Sequence, residues 1–170
     1  DFGALIDRVG ASVVNVTPRS VVRQAPDIAE RHFDVYRGLM GEVTQRTMTG
    51  LGTGFVLGDD GYILTNAHVV DGVDEVYVRL TGSKRELKAQ VVGMDSNTDI
   101  ALLKVSARGL RVAPVGSSQA LRVGDWVAAI GSPFGFDNTI TARIISAKER
   151  DLAGGSPDPF LQSDVGIQPR

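Results

Sequence analysis

The stretch DDGYILTNAHVVDG, residues 59–72, opens on turn-forming residues, runs through the short apolar segment Tyr62-Ile63-Leu64, and delivers a histidine, His68, among Ala67, Val69 and Val70. A titratable ring between small and apolar neighbours has two readings. It is a core histidine that has found a hydrogen-bond partner, or it is half of a catalytic pair.

On both sides of this stretch the pattern is that of β-strands. GTGFVL (52–57) and YILT (62–65) are joined by Asp59-Asp60-Gly61, a good hairpin turn. In EVYVRL (75–80), Val76, Val78 and Leu80 alternate with Glu75, Tyr77 and Arg79, which predicts a half-buried strand. ELKAQVVG (86–93) and IALLKV (100–105) follow. With a strand at Val13, Val14 and Val16, six strands are complete by Val105, enough to close a small barrel. A second group then begins: DWVAAIG (125–131), NTITARIIS (138–146) and PFLQSD (159–164), separated by SPFGFD and by the Gly/Pro-rich DLAGGSPD. The division predicted is residues 1–110 for an N-terminal helix and a complete first barrel, and 111–170 for this second group of strands.

Two helices interrupt the β pattern. Phe2, Leu5, Ile6 and Val9 stand at i, i+3, i+4 and i+7, a short amphipathic helix. Residues 20–49 carry Pro26 and many charges, and read as a long inserted loop. Inside it Ile28, Ala29, Phe33, Tyr36, Leu39 and Met40 fall at helical intervals, with Asp27 suited to the N-cap and Gly41 to the C-cap.

Composition agrees with an all-β chain. Of 170 residues 20 are glycine and 42% are apolar, and the net charge is −2. Such a chain can build a core with many tight turns, and its charge balance points to neither a nucleic-acid partner nor membrane insertion. The longest apolar runs fall short of a membrane span. With no cysteine, thiolate metal sites and disulfides are excluded, whereas an oxidising compartment is not. The start at Asp1 without a visible signal peptide reads as a processed or trimmed form.

Several motifs fail as chemistry. GLGTGFVLG (50–58) is glycine-rich but leads into a strand and lacks the Lys-Ser/Thr pair of a phosphate cradle. Glycines that let a barrel strand bend sharply explain it better. The only histidines, His32 and His68, form no helical ligand pair, so neither a metal nor a cofactor is expected. His32, among Arg31, Asp34 and Arg37, suits a solvated helix face. Asp99, immediately before an apolar strand, needs donors there, and an imidazole N–H is suitable. Such a partner would fix the tautomer of His68 and leave its other nitrogen as a base. His before Asp is also the order found in hydrolytic triads of double β-barrels, where Ser comes last.

With these residues in place, GTGFVLGDDGYILTNAHVV, SNTDIALLKV, LRVGDWVAAIGSPFGF and FLQSDVGIQP resemble the HtrA/Deg family of serine proteases, from about Val13 to Pro169. The resemblance implies a chymotrypsin-like double β-barrel, first barrel complete and second partial, with residues 111–170 as the first half of that second barrel. It also implies a serine endopeptidase of protein quality control in the bacterial periplasm, acting on unfolded or misfolded proteins and assembled as a homotrimer. In it His68 is the general base, Asp99 the orienting carboxylate, and Ile167 part of the substrate pocket. The family's peptide-binding PDZ domains are absent from this chain. Three departures stand out. The family's G-N-S-G-G would place the attacking serine two residues after Arg170, and Arg170 itself occupies the first motif glycine, whose N–H helps form the oxyanion hole. Arg143 stands where the family has glycine, and Glu149 at a more variable glycine site. Ser132, Ser146 and Ser163 lie in no nucleophile-type turn. The chain alone is therefore expected to be inactive, and a non-catalytic chaperone or peptide-binding module that retains the protease fold is the alternative.

Overall fold

The alternation of buried and exposed residues is realised as two antiparallel sheets in the computed structural model, which describes residues 2–23, 45–131, 139–150 and 160–163. Helix α1 (Phe2–Val9) forms as its spacing predicts and ends in a 3-10 turn, Gly10–Ser12. The buried Ser12 hydroxyl donates to the Val9 carbonyl at 2.6 Å, closing that turn.

The first sheet contains β1 (Val13–Arg23), β2 (Gln45–Thr49), β3 (Gly52–Val56), β4 (Tyr62–Thr65), β5 (Glu75–Leu80), β6 (Glu86–Asp95) and β7 (Ile100–Val105). Its order is β2-β1-β3-β4-β7-β6-β5, and β5 pairs again with β1, from Val14↔Leu80 to Arg19↔Glu75. Six strands thus close into a barrel, as expected, and leave no open edge among them. Val14, Val16, Val56, Ile63, Val76, Val78, Ala101, Leu103 and Val105 fill its interior, each at most 3% exposed. Gly54 allows the close approach of β3: a Cβ there would stand 2.8 Å from the Leu64 carbonyl oxygen.

β2 corrects the sequence reading. Residues 20–49 read as an inserted loop carrying one helix, but both flanks are strand. β1 continues to Arg23 and pairs with β2 from Arg19↔Thr49 to Arg23↔Gln45. The root of this ribbon is anchored on the barrel. Asp74 accepts the Val21 N–H at 2.6 Å, and the Arg19 guanidinium stacks over Tyr77 and pairs with Glu86 at 2.6 Å. The β1–β2 ladder gives the facing backbone groups partners, and so tolerates a polar composition that reads as loop. The helix expected between Asp27 and Gly41 lies outside the described residues.

From Ser106 the chain returns along the barrel, with Leu110 N–H on the Asp59 carbonyl at 3.2 Å and Ala113 N–H on Val56 at 2.9 Å. It then enters the second sheet: β8 (Trp126–Gly131), β9 (Thr139–Arg150) and β10 (Phe160–Ser163), in the order β10-β9-β8. Arg143 sits in regular strand opposite Val127. This sheet is partial, as expected, and among the described residues Ile145 is its one buried apolar side chain. No helix among the described residues is long and apolar enough to cross a membrane.

Candidate active site

The pairing of β4 with β7 brings the two halves of the site together. Thr65 lies opposite Ala101, and the same register carried two residues past the strand ends sets Ala67 opposite Asp99. The Ala67 N–H accordingly donates to the Asp99 carbonyl at 3.1 Å. The chain then turns into the four-residue helix α2 (Ala67–Val70). Ala67 and Val70 are buried and pin this turn to the barrel, which leaves His68 facing outward. Val69 closes over β3 at Gly52, where a Cβ would meet Val69 Cγ1 at 2.5 Å.

His68 Nδ1 lies 2.8 Å from Asp99 Oδ2 and 3.0 Å from Oδ1, and the His68 main-chain N–H donates to Oδ1 at 2.9 Å. The side chains are 72% and 42% exposed, so the carboxylate needs less compensation than a fully buried one would. Its pKa is nonetheless held below the usual carboxylate range, first by the His68 main-chain N–H, then by the ring; partial desolvation opposes this, and the His68 charge and the Asn66 amide add to it. An ionised Asp99 on Nδ1 keeps a proton there and leaves the Nε2 lone pair on the open side of the ring. That arrangement can remove a proton from a hydroxyl and hold the resulting imidazolium.

Asp99 is also the only non-glycine among the described residues in the left-handed region, at φ 54. Asn66 was not singled out in the sequence, yet its Nδ2 donates to Asp99 Oδ2 at 3.1 Å and to the Asp99 carbonyl at 3.3 Å. The signal available was a capping-type asparagine at the strand-to-helix junction two residues before His68.

The other candidates fall elsewhere. Ile167, Arg170, His32 and Ser132 lie outside the described residues. Ser146 is on β9 and Ser163 on β10, opposite Ile145. Among the described residues no serine hydroxyl bonds to His68, and no group of three or more His, Cys, Asp or Glu is placed to hold a metal. An open depression lined by Asp60, Lys88, Gln90, Lys104 and Arg108 sits at the opposite end of the barrel. Two of its cations are already engaged, Lys104 with Asp60 and Lys88 with Glu75, and it does not touch the dyad.

Residues 52–169 match the trypsin-like peptidase domain family. A protein of Pseudomonas savastanoi pv. phaseolicola named "Probable periplasmic serine endoprotease DegP-like" is 42% identical over 192 residues, covering 99% of this chain and 39% of the relative. One of the same name from Hahella chejuensis is 43% identical over 183 residues, covering 99% and 38%. The solved structure of the HtrA-type protease AlgW with a decapeptide superposes with a TM-score of 0.76 at 30% identity, covering 96% of this chain and 51% of that one. The chain thus spans about two fifths of the length of the curated relatives it matches.

Proposed function

The chain belongs to the trypsin-like peptidase family, with DegP- and HtrA-type proteases as its relatives, and we propose that it supplies the base half of a serine endopeptidase. The observation that carries this reading is the 2.8 Å contact of His68 Nδ1 with Asp99 Oδ2, which leaves Nε2 open. In the proposed reaction Nε2 takes the proton of a serine hydroxyl as its Oγ attacks the scissile carbonyl. Asp99 stabilises the imidazolium, which then gives the proton to the leaving amine. The serine is the one expected two positions after Arg170, with Arg170 at the oxyanion position and Ile167 beside the substrate side chain. Unfolded or misfolded proteins are the proposed substrates and the periplasm the proposed location, the latter in keeping with the names of the relatives. A homotrimer is the proposed assembly; the partly exposed Leu5 on α1 is apolar surface that a neighbouring subunit would cover.

A fluorophosphonate probe tests the chemistry. A longer gene product that includes the expected serine should be labelled stoichiometrically, and the 170-residue chain should not. In the longer protein His68→Ala should lower kcat on an unfolded protein by roughly 10⁴-fold or more. Unchanged hydrolysis in His68→Ala would overturn the role of His68 as base, and a longer protein that neither labels nor hydrolyses would favour a binding or chaperone module instead. Light scattering that returns a monomer at high concentration would sink the trimer.

A further inference from the structure

Asn66 occupies the N-cap position of α2 and has the extended backbone of a capping residue, φ −77 and ψ 144, yet its side chain makes no cap bond. An asparagine in that place ordinarily turns its side-chain oxygen onto the free N–H groups of the first helical turn. Here the amide nitrogen is turned instead onto Asp99, bridging its carboxylate and its own carbonyl. We propose that Asn66 is a positioning residue for the dyad, its amide locking the Asp99 carboxylate in the rotation that keeps the His68 proton on Nδ1. The proposal rests on the reading of His68 as general base.

The need for a lock follows from the backbone of Asp99. A non-glycine residue at φ 54 is held there only when its surroundings over-determine it. Three consecutive residues do so: Ala67 N–H fixes the carbonyl, His68 N–H fixes Oδ1, and the Asn66 amide reaches both the carbonyl and Oδ2. The first two donors are main chain and hold one atom each. A carboxylate pinned at one oxygen can still swing the other toward water, and this side chain is 42% exposed. The bridge from Asn66 ties carboxylate to backbone and removes that freedom. Oδ2 is then left 2.8 Å from Nδ1. Without the bridge Nδ1–H loses its nearer fixed acceptor and keeps only Oδ1, 3.0 Å away and shared with the His68 main-chain N–H. The bond weakens, and the neutral ring drifts toward the Nε2–H tautomer, which cannot act as a base from Nε2.

The test is the tautomer of His68 in the full chain labelled with ¹⁵N-histidine, with His32→Gln used to assign the two rings. At slightly alkaline pH the unsubstituted chain should show Nδ1 protonated and Nε2 bare. Asn66→Ala should shift a clear share of the population to Nε2–H while the remaining amide spectrum stays folded. Asn66→Ser retains capping ability but loses the amide donor. It should behave like Asn66→Ala if Asn66 positions Asp99. If Asn66→Ser, or Asn66→Ala itself, keeps the unsubstituted tautomer, the proposal falls. In the longer protein Asn66→Ala should lower kcat about tenfold with KM unchanged, a partial loss of general-base catalysis; a rise in KM alone would overturn it. The catalytic reading fails separately, through His68→Ala, without altering what the tautomer says of Asn66.

Discussion

The two sheets are made of similar strands, and they end in different states of burial. In the closed barrel Val16, Ile63, Val78, Ala101 and Leu103 are 0% exposed. In the second sheet Trp126 remains 69% exposed, with Val123 just before it at 62%. Strand composition does not account for the contrast, since WVAAIG is as apolar as EVYVRL. Closure accounts for it. Each barrel strand has two neighbours and an interior to face, whereas among the described residues β8 and β10 have one neighbour each and the sheet has two edges. The structural consequence is that Asn66, His68 and Asp99 all hang from the closed barrel, and among the described residues the hydrogen bonds that hold the His68–Asp99 pair come from the barrel alone.

Core truncation should expose this contrast most strongly. Leu103→Ala is expected to lower unfolding free energy by about 2–5 kcal/mol, because the barrel cannot collapse around the void. Ile145→Ala should leave the urea midpoint of the barrel in place and loosen only β8–β10. Equal losses from the two substitutions would mean that the sheets unfold as one unit. Hydrogen exchange gives the same comparison without mutation. Amides of β3, β4 and β7 should exchange at least ~100-fold more slowly than those of β8–β10 in a monomer, since local opening follows the density of buried contacts. Equally slow exchange in the second sheet would break the comparison. Gly52→Ala probes the junction of barrel and site. The added methyl must displace Val69, at a cost of about 1–3 kcal/mol, and should shift the resonances of His68 while leaving those of β9 alone.

The smallest effect is the acid titration. The Asp99 carboxyl is depressed in the folded chain, so its contribution to stability is present above the ordinary carboxylate value and is lost as pH falls through the lower folded one. Asp95 is depressed in the same direction by the Asn97 N–H and the Thr98 hydroxyl. On the second sheet's side, Asp125 is depressed mainly by the Arg122 N–H. A carboxyl titration by NMR should place Asp99 below ~3.9 and Asp99→Asn should flatten part of the barrel's acid response. A midpoint at or above that value would show that the dyad is open in solution.

Much of this architecture is legible in local pattern. Period-two alternation in EVYVRL, the Asp59-Asp60-Gly61 turn and the helical spacing of Phe2, Leu5, Ile6 and Val9 each act over a few residues, so each reads directly as an element. The six barrel strands and the three that follow were countable for that reason, and the motif context of His68 and Asp99 named the two halves of the site. Other features depend on partners far apart in the chain. β2 is a strand because β1 overruns the barrel far enough to pair with it, while its own polar residues suggest loop. The return of β5 onto β1 is a register across more than fifty positions that no short window contains. Asn66 looks like a helix cap until the β4–β7 register lays Asp99 against it. Local propensity and periodicity are properties of short segments and were determined by the sequence itself; barrel closure, the left-handed turn at Asp99 and the donors that hold it come from non-local hydrogen bonds, which exist only once the tertiary structure has brought those backbones together.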